Sequence, residues 1–319
     1  SSDVCSSDLG MGRDLVLLQG AHREGVGLAD LPRGRVAALE GQMQTVSDQA
    51  RDLDTYRSDY QHRWNQQFRS RAAAPDIVRC YQQFAERLEL ADGDFMDLEW
   101  SGNDGSRLAI LSHGLEADMN TGYIVGMASA LIRRGWDVLR WNFRGCGGEP
   151  NRLLRMYHSG ATEDLHAVVT HALAHHPAGS VDLIGFSLGG NISLKCVGEQ
   201  AAHPAVKAAV AVSSPVDLAS CARLLDEDPR NQLYLHRFLR TLKAKTLLKA
   251  RRFPELRDRL NSSDGVNAVR TIREFDNRIT APVHGFADAE DYWARASALP
   301  HLAQIQIPSL LLSAKDDPL

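Results

Sequence analysis

The chain has 319 residues, 44% of them hydrophobic and 24% charged, and a formal net charge of −4. That length suits one large α/β domain plus an extension, and so small a charge sets up no global field for nucleic acid. Five widely spaced cysteines without a C-x-x-C pair argue against a disulfide framework or a metal site and fit a reducing cytoplasm. No apolar run approaches the ~20 residues that span a bilayer, and no signal peptide is visible.

Residues 1–10 repeat Ser-Ser-Asp without fold logic and read as a non-native scar. Residues 11–80 form an N-terminal extension. Within it Val36, Leu39, Met43, Val46, Ala50, Leu53, Tyr60 and Trp64 recur at spacings near 3 and 4, which predicts a long amphipathic helix over Val36–Phe68. The helix either packs on the domain or pairs with a partner helix, and Gly41 weakens it by about 1 kcal/mol relative to Ala.

From residue 81 onward the pattern becomes that of an α/β domain. Arg87–Leu90 and Met96–Trp100 alternate apolar and polar around Asp92-Gly93, a hairpin signal. A buried strand is predicted over Leu108–Leu111, then a helix near Tyr123–Arg134, a strand over Trp136–Trp141 and a helix over Glu163–His175. A strand at Val181, a helix over Leu188–Gln200 and a strand over Ala205–Val212 follow. Such alternation predicts a mainly parallel sheet covered on both faces, with an antiparallel edge from the hairpin.

Between about 215 and 300 helices dominate and form an insertion before the last strand, Ser309–Ser313. Here Leu235, Phe238, Leu239, Leu242, Leu247 and Leu248 make an apolar stripe. The opposite face carries Arg237, Arg240, Lys243, Lys245, Lys249, Arg251 and Arg252. That face is either solvated or gives weak contact with an anionic membrane surface or acidic substrate.

Gly185-Phe186-Ser187-Leu188-Gly189 lies between a strand and a helix, the context of a nucleophile elbow. Ser187 is the predicted nucleophile, and Gly185 and Gly189 leave room for the tight turn. The Leu188 N–H is one predicted oxyanion donor. The second is the Leu115 N–H in the loop Ser112-His113-Gly114-Leu115-Glu116, where Gly114 lets the backbone approach the substrate. His113 reads as a brace for that turn rather than a base.

The acid should follow a later strand and the histidine should follow the acid. Asp317 is the predicted acid, with Asp316 in reserve. No histidine follows them, and His284 and His301 both precede them. A chain cut short of its last strand and histidine loop is therefore expected. In the Asn142–Gly148 loop, Arg144 pairs with a carboxylate of the protein or of the substrate, and Cys146 reads as packing.

These motifs, together with Trp141–Arg152, Tyr157-His158-Ser159-Gly160, Phe275-Asp276, His284–Asp288 and Ala314–Pro318, resemble the YheT-like α/β-hydrolases over about Ala85–Leu319. The resemblance implies an α/β-hydrolase fold with a helical lid and a Ser-Asp-His triad. It implies cleavage of small-molecule carboxylic esters, short- to medium-chain or lipid-like, with no cofactor. Two departures stand out. The segment before Pro75 does not match the family's Pro- and aromatic-rich arm, and Ala117 stands where the family has Gly. Alternative readings are an acyltransferase or thioesterase using the same acyl-serine chemistry, or a non-catalytic binding protein.

Overall fold

Thirteen apolar residues drawn from strands and helices alike fix which side of each strand faces which helix. The computed structural model describes residues 82–102, 106–199, 203–261 and 265–317. The helix predicted over Val36–Phe68 and the proposed scar lie outside the described residues.

Strands β1 (Gln82–Glu89) and β2 (Phe95–Gly102) form the predicted hairpin. Gly93 holds its turn with φ +84°, and its N–H donates to Leu90 O at 2.9 Å. After β3 (Leu108–Ser112) come α1 (Gly122–Ile132), β4 (Asp137–Trp141), α2 (Thr162–His175), β5 (Val181–Phe186), α3 (Leu188–Gly198) and β6 (Val206–Val212). The last strand is β7 (Ser309–Leu312). The sheet order is β1-β2-β4-β3-β5-β6-β7, antiparallel from β1 to β4 and parallel from there to β7. Every residue of β3 and β4 is buried, as expected of central strands covered on both faces.

The period of two along each strand divides the core. Leu108, Ile110, Leu139 and Leu183 meet α2 and α3 through Leu165, Val168 and Ile192. Ala109, Leu111, Val138 and Ile184 meet α1 through Ile124 and Ala128. All of α3 is buried, so the helix that starts at Ser187 is fixed from every side.

Between β6 and β7 the chain is helical. Helices α4 (Leu218–Glu227), α5 (Gln232–Arg252) and α6 (Pro254–Asn261) precede short helical turns over Ile272–His284, then α7 (Ala289–Ala296). Asp217 caps α4 by accepting from Ser220 N, and Asp288 caps α7 by accepting from Asp291 N. This block has its own core of Leu225, Leu235, Leu239, Phe275, Tyr292 and Trp293. Among the described residues no helix is long and apolar enough to cross a membrane.

Two expectations about α5 are corrected. Leu247 and Leu248 are exposed rather than part of the packed stripe. Lys245 and Lys249 leave the basic face and turn inward, Lys249 onto the carbonyls of Asn151 and Leu153 and Lys245 onto Glu116. A buried ammonium needs such acceptors, and the loops beneath α5 supply them.

Candidate active site

Ser187 follows β5 and precedes α3 with φ +50° and ψ −121°, a conformation that L-residues adopt only under constraint. The constraint is visible on both flanks. Ser187 N donates to Val212 O at 2.8 Å, and Ser187 O accepts from the amides of Gly190 and Asn191 at 2.9 and 3.1 Å. A Cβ on Gly185 would collide with the Gly189 backbone. A Cβ on Gly189 would come 2.5 Å from the carbonyl oxygens of both Ser112 and His113. The second glycine is thus needed for the approach of β3's end, rather than for closing the turn on itself as the motif alone suggested.

The loop after β3 lies against this turn. A Cβ added to Gly114 would stand 3.2 Å from Ser187 Cβ and 3.3 Å from Tyr123 Oη. Gly114 N donates to Tyr123 Oη at 3.0 Å. His113 is fully buried; its Nδ1–H donates to Gly114 O at 2.8 Å and its Nε2 accepts from Phe143 N at 3.2 Å. Burial pushes its pKa down to about 4, with the Gly114 carbonyl partly opposing. Both nitrogens are committed, so His113 cannot take a proton from Ser187.

That bond has a directional consequence. Gly114 C=O and Leu115 N–H are opposite ends of one planar peptide unit. Fixing the carbonyl on His113 aims the Leu115 amide the other way. Leu188 N–H lies in the first turn of α3 and has no acceptor four residues back. The two amides lie on neighbouring backbone segments that meet at Ser187, a layout that can hold developing negative charge on oxygen.

Glu116 adopts φ +54° beside this loop. Its N–H donates to Tyr157 Oη at 3.1 Å, and Tyr157 O–H donates back to Glu116 Oε1 at 2.6 Å. Lys245 Nζ reaches the same carboxylate at 2.9 Å and Cys146 Sγ at 3.3 Å. Thus α5 is tied to the loop that carries Leu115. Ala117, where the resembling family has Gly, donates its N–H to Gly114 O at 3.2 Å and closes the turn without one. Burial pushes the Cys146 thiol up to about 12, which fits packing and not nucleophilic chemistry.

Arg144 stands apart from the cleft around Ser187 and is corrected from the pocket set. Its guanidinium is bidentate on Asp164 at 2.8 Å through Nε and Nη2, and it also reaches Asp92 at 2.8 Å and Asp94 at 3.1 Å. Burial alone would lower its pKa, and the Asp164 carboxylate outweighs that and raises it. Asp94 also accepts from Asn151 Nδ2 and Arg152 N. The group therefore clamps the Asn142–Gly148 loop to the β1–β2 hairpin.

Asp316 and Asp317 follow β7. Because Phe186 pairs with Val212 and Val212 with Leu312, they emerge at the same carboxyl edge of the sheet as Ser187, two strands away. Asp317 N donates to Ala314 O at 3.2 Å, and its Oδ2 accepts from Ser313 Oγ at 3.2 Å. Asp316 is exposed.

The cleft at Ser187 is roofed by the helical block. Leu218, Leu225, Phe238, Leu242 and Phe275 make most of its wall apolar, and its internal volume is about 120 Å³. That is small beside the ~300–1,000 Å³ of sites for drug-sized ligands, so a slender chain suits it better than a bulky ring system. His158 and His284 line it too, with ring centroids 4.7 Å apart. His284 Nδ1–H donates to Thr280 O at 2.7 Å and Nε2 accepts from Met156 N at 3.2 Å, so it is also fully committed. His301 lies in a 3₁₀ turn packed near Gly198 instead. Among the described residues no group of His, Cys, Asp and Glu side chains could hold a metal ion.

Residues 110–319 match the family model for the alpha/beta hydrolase fold. YheT of Escherichia coli (strain K12), named as an esterase, is 40% identical over 246 residues, 75% of this chain and 70% of that protein. The chain belongs to the YheT-like α/β-hydrolases. A monoacylglycerol lipase of Saccharomyces cerevisiae is 26% identical over 70% of this chain and 50% of its own length. Phospholipase ABHD3 of Mus musculus is 31% identical over 73% and 58%. The chain thus spans 50–70% of the length of these relatives.

Of the residues singled out in the sequence, Ser187, Leu188, Gly185, Gly189, His113, Gly114 and Leu115 come together. Arg144 does not join them. Tyr157, Lys245 and Tyr123 were missed as parts of the site. Only the Tyr157-His158-Ser159-Gly160 motif carried any signal of that, because Tyr157 and Lys245 meet Glu116 from 41 and 129 residues away.

Proposed function

We propose that the chain carries the core of a serine hydrolase that cleaves carboxylic esters of slender, lipid-like acyl groups through an acyl-serine intermediate. The observation that carries this reading is the strained Ser187 lining a largely apolar cleft with Leu115 and Leu188, whose amides meet no acceptor among the described residues. Ser187 Oγ attacks the ester carbonyl, and the amides of Leu115 and Leu188 stabilise the oxyanion. The alcohol then leaves, and water hydrolyses the acyl-serine.

Asp317 serves as the orienting acid, with Asp316 as the alternative. The proton acceptor is a histidine other than His113 and His284, whose nitrogens are all engaged. The chain order Ser, Asp, His reserves its position after the acid. The relatives' names as esterase, monoacylglycerol lipase and phospholipase support the ester class. A cytoplasmic setting rests on cysteine usage.

The test uses the full-length protein, a fluorophosphonate probe and nitrophenyl esters of increasing chain length. Labelling lost in Ser187→Ala, with turnover rising from acetyl to medium-chain esters, supports the reading. An unlabelled Ser187 with turnover at background sinks it.

A further inference from the structure

His158 is held more firmly than a pocket-lining residue needs to be, yet one of its nitrogens is unused. Its Nδ1 accepts from Gly160 N at 3.1 Å. An amide can only donate, so the ring proton of the neutral imidazole sits on Nε2. No hydrogen-bond partner is assigned to that Nε2–H among the described residues. The ring packs against His284 at 4.7 Å and meets Phe286 and Tyr292 edge-on at 5.5 and 6.0 Å.

The backbone around it is equally fixed. Ser159 N donates to Tyr292 Oη at 3.0 Å, Ser159 O accepts from Asn191 Nδ2 at 2.8 Å, and Met156 N donates to His284 Nε2 at 3.2 Å. Tyr157 and Trp293, which also line the cleft, donate to Glu116 and Asp276, whereas the His158 Nε2–H meets no acceptor among the described residues, and an unmet donor in largely apolar surroundings costs free energy. Such a donor has a use when a ligand brings an acceptor to it.

The acceptor's chemistry can be narrowed. On the acyl-ester reading, on which this inference rests, the substrate carbonyl is taken by Leu115 and Leu188, and a plain acyl chain has no other acceptor. The remaining acceptors are on the alcohol part. They are uncharged, because Lys245, the one lysine or arginine lining the cleft among the described residues, is already paired with Glu116. Burial, with His284 beside it, also keeps His158 itself from carrying charge near neutrality.

We propose that His158 is a substrate-binding residue whose Nε2–H donates to a hydroxyl or second carbonyl oxygen on the alcohol part of the ester, selecting polyol esters over simple alkyl esters. With Nδ1 occupied and Nε2 protonated, the same geometry removes His158 as the base for Ser187.

The full-length protein is assayed with 1-decanoylglycerol and ethyl decanoate, which share one acyl group. Wild type is expected to prefer the glyceryl ester in kcat/KM. His158→Phe keeps the ring and removes the donor. It should lower kcat/KM for the glyceryl ester about tenfold, chiefly through KM, and change ethyl decanoate less than about threefold. His158→Gln, which restores a donor, should recover part of the loss. Fluorophosphonate labelling of Ser187 in each variant reports whether the nucleophile is intact.

Equal loss on both esters, or no wild-type preference for the glyceryl ester, overturns the role of His158 and leaves the serine-hydrolase reading standing. The wild-type preference is read without any variant, so a misfolded His158→Phe does not shelter the proposal. Absence of both labelling and turnover in wild type overturns both.

Discussion

His113 Nδ1–H donates to Gly114 O across 2.8 Å, and through that one bond a fully buried histidine orients the amide of Leu115 beside Ser187. The ring in turn is anchored by Phe143 N, in the loop that follows β4. Removing the ring in His113→Ala frees the Gly114–Leu115 peptide to rotate. The expected result is a fall in kcat of roughly 10²-fold, comparable to losing one oxyanion donor, with KM changed little. Steady-state kinetics on a medium-chain nitrophenyl ester check it.

Gly114 tests the same loop by addition rather than removal. In Gly114→Ala the new Cβ would stand 3.2 Å from Ser187 Cβ and 3.3 Å from Tyr123 Oη, tighter than nine in ten real contacts. The loop must retreat by a few tenths of an ångström and carry Leu115 with it. Since misplacements of that order cost catalysis far more than folding, kcat/KM is expected to drop at least about tenfold while Tm moves by only a few degrees.

Acid should destabilise the fold through its buried histidines. His113, with its pKa pushed from 6.5 to about 4, is neutral in the folded protein where the unfolded chain already binds a proton. Its contribution is complete above pH 6.5 and is lost as pH falls from 6.5 to 4, by about 3 kcal/mol for that group. His158 and His284, also lowered by burial, act in the same direction. Asp276 opposes them. Burial raises it to about 6, so its contribution to stability grows as pH falls from 6 towards 3.8. The difference in urea unfolding free energy between wild type and His113→Gln, measured from pH 7 to 4.5, isolates the histidine. That difference should shrink on acidification, and a constant difference contradicts the assignment.

Arg144 holds Asp164 and Asp94, two carboxylates whose side chains are 3% and 0% exposed. Arg144→Met keeps much of the aliphatic stem, removes the guanidinium and leaves both carboxylates without their cation. A loss of about 3–5 kcal/mol is expected, visible as a fall in Tm of about 10 °C or more. Calorimetry on the purified variant decides it; a change under a degree would mean the clamp contributes nothing.

The pair Lys245–Glu116 couples α5 to the loop that carries Leu115. The Glu116 side chain is only 4% exposed, whereas that of Lys245 is 31% exposed, so the cation side is partly screened. Lys245→Met should cost roughly 2 kcal/mol by leaving a buried carboxylate unmatched, and adding Glu116→Gln should return part of it. A double-mutant cycle by urea unfolding should give a coupling of roughly 1–3 kcal/mol.

Several features were readable before any coordinates. The period of two over β1 and β2, the apolar run of β3, the mostly apolar β5 and the spacing of α2 pointed to a parallel sheet with an antiparallel edge. The run Gly185-Phe186-Ser187-Leu188-Gly189 required a tight turn with a strained serine, because only glycine tolerates the close backbone approach at its ends. These are local constraints, set by residues a few positions apart.

What only the tertiary structure decided depends on residues distant in the chain. Arg144 faces Asp92 and Asp94, about fifty residues earlier, instead of a ligand. Lys245, on a helix whose sequence pattern puts it in solvent, finds Glu116 because the helical block folds over the sheet. The proton positions on His113 and His158 follow from backbone amides and carbonyls that no side-chain pattern records. Periodicity tells a residue which face of its own element it occupies. Which charge, amide or carbonyl lies opposite that face is settled by how the elements pack, and there the chemistry of this site was fixed.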